Sequence, residues 1–109
     1  MGLPVFITTQ SNQLAKAINW PNPFNPANGP TQIGLFMEEA GDVELKIFTL
    51  SGKPVHSQSF SVGSGNQIIS WDGRNDAGAK VAPGGYVALL LKKYSSRTDS
   101  QKVKIAVLY

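Results

Sequence analysis

The 109-residue sequence contains no cysteine and one histidine, His56. Without cysteine there is no disulfide framework, no thiol nucleophile and no thiolate zinc site, and the compartment stays open because exported bacterial domains also dispense with it. His56 has no carboxylate beside it in sequence and no Gly-x-Ser-x-Gly elbow to serve, so neither a metal pair nor a serine triad assembles around it. It reads as a surface histidine. Carboxylates are few, seven in all, and Glu38, Glu39, Asp42 and Glu44 fall at a turn and a strand start, where water solvates them instead of a cleft converging them. No apolar run approaches the roughly 18 to 20 residues of a membrane span, and Met1-Gly2-Leu3-Pro4 lacks the charged start of a signal peptide. The glycine-rich turns at 63–65 and 83–85 lead into no helix, which excludes a phosphate cradle. These gaps argue against an enzyme.

What is present suffices for one small domain. Hydrophobic residues make up 41% and charged residues 16% of the chain, with 11 glycines, a balance that folds and is not that of a disordered segment. Residues 1–13 show no sustained period and read as a linker or an artificial extension, so the domain is placed at residues 14–109. The prolines of Trp20-Pro21-Asn22-Pro23-Phe24-Asn25-Pro26 forbid helix and favour an extended segment anchored by Trp20 and Phe24.

From Thr31 the apolar period is two. Ile33, Leu35 and Met37 share a face, and after the Ala40-Gly41-Asp42 turn Val43, Leu45 and Ile47 share another, which predicts a two-strand meander. The turn at Ser51-Gly52-Lys53 leads to a polar edge strand over 55–62, and 66–71 turns Ile69 and Trp71 to one side. A strand over 86–94 is apolar on both faces at 87–91, as a central strand should be. The last strand, 102–108, points Val103, Ile105 and Val107 inward, after a polar hairpin over 95–101. This is an all-β pattern, an immunoglobulin-like (fibronectin III-like) antiparallel β-sandwich of about seven strands, with Trp71 and Tyr86 in its core.

Four segments in this order carry a resemblance: Pro21-Asn22-Pro23-Phe24-Asn25-Pro26, Leu50-Ser51-Gly52-Lys53-Pro54-Val55, Trp71-Asp72-Gly73-Arg74 with Gly78, and Pro83-Gly84-Gly85-Tyr86. The chain resembles, over about residues 17–108, the C-terminal secretion and sorting domains of bacterial type IX secretion cargo. It is similar also to the immunoglobulin-like domain of the flagellar hook-capping protein. The resemblance implies a non-catalytic module of a larger exported protein, secreted or held at the cell surface. It implies an upstream domain in the parent and a secretion or cell-surface machinery protein as partner. It places recognition on Gly85, Tyr86, Lys102, Val103, Lys104, Ile105, Val107 and Leu108. Members end in a basic residue, whereas here the last residues are Leu108-Tyr109.

Three other readings stay open. Trp20, with Tyr94 and Tyr109, could stack on sugar rings in a carbohydrate-binding module, and a structural spacer or a hook-cap-like assembly domain would need no ligand. Asp72, Asn75 and Asp76 are oxygen donors close enough in sequence for calcium, but as turn caps they need no metal. No cofactor is expected. Lys92, Lys93, Arg97, Lys102 and Lys104 are half of the ten Lys and Arg and could attract phosphates. They read instead as solvated outward positions on edge strands, and no nucleic-acid partner is expected.

Overall fold

A computed structural model describes residues 16–109. The segment 1–13, and Leu14 where the domain was placed to begin, lie outside the described residues. Seven strands follow in chain order: β1 (Ile18–Trp20), β2 (Thr31–Met37), β3 (Gly41–Thr49), β4 (Pro54–Val62), β5 (Gly65–Trp71), β6 (Gly84–Lys93) and β7 (Thr98–Val107). They form two antiparallel sheets, a three-stranded one ordered β1-β2-β5 and a four-stranded one ordered β4-β3-β6-β7. This is the immunoglobulin-like sandwich that the period-two pattern predicts.

Alternation decides the core. Ile33, Leu35 and Met37 of β2 and Ile69 and Trp71 of β5 are buried against Val43, Leu45 and Ile47 of β3, Ala88 and Leu90 of β6, and Ile105 of β7. Removing each large apolar side chain from water contributes roughly 1.5 to 3 kcal/mol, against the entropy of ordering the chain. Trp71 sits among Phe24 and Tyr86, each ring centroid 5.7 Å away, and its indole N–H donates to the Arg74 carbonyl at 2.9 Å. One end is closed by Tyr94, a buried core residue whose hydroxyl accepts the Glu38 amide.

Three expectations are corrected. β2 and β3 are not a meander: they lie in different sheets, and the chain crosses between layers at 38–40. Period-two burial tells which face of each strand is covered, and two strands facing each other across a core satisfy it as well as two paired strands do. Gly41 allows the crossing, because a Cβ there would collide with the Lys93 carbonyl oxygen. The hairpin placed at 95–101 is shorter, since β7 pairs with β6 from Thr98 and only a tight turn closed by the Tyr94 amide and the Arg97 carbonyl remains. Both faces are polar there, so hydropathy carries no trace of the strand. The proline-rich segment is not extended throughout, for Pro26–Asn28 forms a 3-10 turn capped by the Asn25 side chain, with proline at its start where the missing N–H costs nothing.

Candidate functional site

The residues assigned to recognition divide sharply in the structure. Tyr86 (6% exposed), Ile105 and Val107 are core, and the Tyr86 hydroxyl donates to the Ala82 carbonyl at 2.6 Å. Burial raises the Tyr86 pKa, and the nearby Tyr109 hydroxyl adds to the shift. Val103 packs partly against the core. Gly85 lies under the Leu50 side chain. Lys102 and Lys104 stand outward, and Leu108 is 61% exposed. The register brings Tyr86 beside Ile105, Leu89 beside Lys102 and Val87 beside Lys104, so what a partner can touch is the outer face of β7 and its free edge.

That edge is half closed. The Asn22 carboxamide donates to the Lys104 carbonyl and accepts from the Ala106 amide, both at 2.9 Å. Phe24 then continues the pairing: its amide donates to the Ala106 carbonyl at 2.9 Å, and its carbonyl accepts from the Leu108 amide at 3.0 Å. The groups taken belong to even-numbered residues, which alternation turns away from β6. By the same alternation Thr98, Ser100 and Lys102 direct both N–H and C=O outward, and Lys104 its N–H. No strand among the described residues pairs with them. The sequence signal for this strap was Asn22 between two prolines: Pro21 and Pro23 fix the local backbone, and the Asn22 carboxamide stands where a peptide group would pair with the edge.

The basic cluster resolves into different environments. Lys92 is corrected from outward to buried (7% exposed), because it shares the parity of Tyr86, Ala88 and Leu90 on β6. Its ammonium donates to the Phe36 carbonyl on β2 at 2.7 Å, and burial lowers its pKa. Lys93 pairs with Glu44 at 2.8 Å. Arg97 pairs with Glu38 at 2.8 Å and Asp99 at 3.2 Å, lies 4.5 Å over the Tyr94 ring, and has its pKa raised foremost by the bond to Glu38. Lys102 and Lys104 have no carboxylate partner among the described residues.

The loop after Trp71 holds its oxygens apart. Asp72 Oδ1 accepts the Arg74 amide and Asn75 Oδ1 accepts the Ala77 and Ala79 amides, each at 3.0 Å. Asp76 Oδ1 accepts the Ser57 amide at 3.1 Å. All three cap backbone, and no group of three metal-ligating side chains occurs among the described residues. The loop folds back onto the β4 edge, where the Asp76 amide donates to the Val55 carbonyl at 3.0 Å. This gives His56 the carboxylate it lacked in sequence: Nδ1 lies 3.0 Å from Asp76 Oδ1 but is not aligned for a hydrogen bond, and the ring is half-buried. Its Nε2 faces Gln58 Oε1 at 3.3 Å, and the adjacent Ser57 hydroxyl donates to Glu44 Oε2 at 3.3 Å.

Trp20, 40% exposed, lies on the outer face of the three-stranded sheet beside Ile18 and above Gly34, where a Cβ would come within 3.1 Å of its ring. Tyr94 is buried and Tyr109 is tied to the Val81 carbonyl at 2.6 Å, so the three aromatics form no single stacking platform. No helix among the described residues is long and apolar enough to cross a membrane.

Comparison with known proteins gives this geometry a family. Solved structures share the fold. FlgD from P. aeruginosa aligns with a TM-score of 0.65 at 15% identity over 78% of this chain and 65% of that one. PorZ, a bacterial surface component of the type IX secretion system of Porphyromonas gingivalis, aligns at 0.61 and 21% over 91% of this chain and 12% of that one. Dimeric latent PorU from P. gingivalis aligns at 0.67 and 18% over 87% and 10%. The chain thus spans less than two thirds of each, and at these identities the likeness is one of fold. No curated protein matches. The family model described as FlgD Ig-like domain matches residues 25–89, from the proline-rich strap into the central strand, and the chain belongs to that family.

Proposed function

We propose that this domain is a non-catalytic, C-terminal module of a larger exported bacterial protein, acting in secretion sorting or surface anchoring through its last strand. The observation that carries the reading is the half-open β7 edge, with two lysines beside it that have no carboxylate partner among the described residues. Two facts support it. The fold recurs as about a tenth of PorZ and PorU, PorZ being a surface component of a type IX secretion system. The histidine–carboxylate pair has Gln58 on its other ring nitrogen, and the adjacent Ser57 hydroxyl donates to Glu44 and not to the imidazole. Partner contact falls on Lys102, Lys104, Leu108 and the Gly85 turn, while Tyr86, Ile105 and Val107 hold that surface from within. The test is to append residues 1–109 to a periplasmic reporter in a bacterium with type IX secretion. Appearance of the reporter at the cell surface or in the medium supports the reading, and retention in the periplasm rejects it.

A second reading, glycan binding, has one observation of its own: Trp20 and Ile68 are exposed on the outer face of the three-stranded sheet. Titration of a broad panel of soluble and insoluble glycans should then show binding that Trp20→Ala abolishes. Flat titrations across the panel reject it.

A further inference from the structure

Of the strands at the sheet edges, β1, β4, β5 and β7, β7 alone carries lysine. β4 is covered at 55–57 by Asp76, and β7 is covered from Lys104 onward by Asn22 and Phe24. Among the described residues, the stretch of β7 left open is therefore bounded at one end by the turn at 95–97 and at the other by the strap. It is about seven residues long, a usual strand length. Its two faces differ. Thr98, Ser100, Lys102 and Lys104 point outward, while Asp99, Gln101 and the half-buried Val103 point toward the other sheet, where β1 approaches.

We infer that residues 98–104 of β7 accept one extended peptide strand of about seven residues, with carboxylates on the face beside Lys102 and Lys104 and apolar side chains on the other. This deepens the sorting reading by naming the chemical class of partner, and it rests on that reading. Main-chain pairing to the outward N–H and C=O groups supplies affinity without sequence preference. The lysines supply selection: directly opposite and diagonal positions across a strand pair lie close enough for charge pairing, and like charges there repel. A second copy of this chain is a poor occupant, because two β7 edges together would gather four lysines and no carboxylate on the outer face. The strap sets the register, since an incoming strand must end where Asn22 holds the Lys104 carbonyl.

The probe is a blocked synthetic heptapeptide alternating glutamate and valine, titrated to millimolar concentration into the isotope-labelled 109-residue chain and followed by amide chemical shifts and exchange. The shifts and the slowed exchange should fall on the amides of Thr98, Ser100, Lys102 and Lys104. Lys102→Glu with Lys104→Glu should weaken binding about tenfold or more, and a lysine–valine heptapeptide should recover it. Ser100→Pro removes an outward N–H and no bond to β6, so it should abolish binding while leaving the melting temperature close to that of the parent. Should Ser100→Pro unfold the domain, the charge-swap pair still decides. The inference is overturned if no shifts appear, if they map elsewhere, or if both peptides bind alike. It falls also if tripolyphosphate, and not the peptide, shifts the lysine amides, which would make the lysines an anion site. A reporter that reaches the surface while the peptide fails rejects this inference alone. A retained reporter with a bound peptide rejects the sorting reading alone.

Discussion

Replacing Asn22 by alanine tests whether a single side chain closes the β7 edge. The substitution deletes a donor to the Lys104 carbonyl and an acceptor for the Ala106 amide, both at 2.9 Å. A net hydrogen bond contributes about 0.5 to 1.5 kcal/mol, and these two are exposed, so water replaces part of what is lost. The expected cost is about 1 to 2 kcal/mol. For a domain of this size that corresponds to a fall of roughly 5 to 10 °C in melting temperature, measured by scanning calorimetry. Amide exchange gives the local readout: the Ala106 N–H should lose protection, while the neighbouring amides bonded to β6 keep theirs. Asn22→Asp refines the test. A carboxylate still accepts from Ala106 but faces the Lys104 carbonyl with no proton to donate, so it should be as damaging as alanine at neutral pH. It should recover below about pH 4, where protonation restores a donor. An unchanged melting temperature together with an unchanged Ala106 exchange rate in Asn22→Ala would refute the strap.

Gly73 has φ +77°, and a Cβ there would lie 2.6 Å from Pro26 Cγ and 3.3 Å from Phe24 Cζ. Gly73→Ala should therefore destabilise by about 2 to 4 kcal/mol in denaturant titration, and a loss below 0.5 kcal/mol would contradict the packing of the strap on the Trp71 loop. Trp71 is buried and Trp20 is exposed, so iodide should quench most of the fluorescence of Trp71→Phe and little of that of Trp20→Phe; the reverse order would misplace both rings. The Lys93 ammonium, hydrogen-bonded to Glu44, holds that carboxyl below its ordinary 4.5 against a partial desolvation that opposes it, with Lys46 and Ser57 assisting. Folding lowers this pKa, so its stabilisation is complete above 4.5 and disappears as the pH falls through the folded value. Acid titration of stability should be steeper for the parent than for Glu44→Gln, and parallel curves would show that the pair contributes nothing.

The faces of the strands were legible in the sequence and their neighbours were not. Ile33, Leu35, Met37, Ile69, Trp71 and Ile105 fall on buried faces because alternation is written in side chains. Pairing is written in backbone N–H and C=O groups that every residue but proline shares, so hydropathy could not tell that β2 and β3 stand in different sheets. The same limit hid the first part of β7, where Thr98, Ser100 and Gln101 leave no apolar period. Lys92 has the parity of Tyr86, Ala88 and Leu90, but its charge points to solvent while its parity points to the core. A long aliphatic stem that ends on a carbonyl at the rim of the core resolves that conflict.

The strap joins these observations. A regular strand at 21–27, parallel to β7 with Phe24 beside Val107, would pair with it from Lys104 onward through peptide groups alone. Pro21 and Pro23 fix φ and so set the path of the segment, and Asn22 between them presents its side-chain carboxamide to β7 in place of its own peptide group. The pairing stops at Lys104, after four hydrogen bonds, because the preceding residues Ile18–Trp20 pair with β2 in the other sheet. What lies beyond is the part of β7 whose outward backbone groups pair with no strand among the described residues, together with the lysine at 102. A segment that looks in sequence like a stiff lead into the domain thus sets how much of the last strand is left for a partner, and Asn22→Ala should extend the stretch that the glutamate–valine peptide protects from 98–104 toward Ala106.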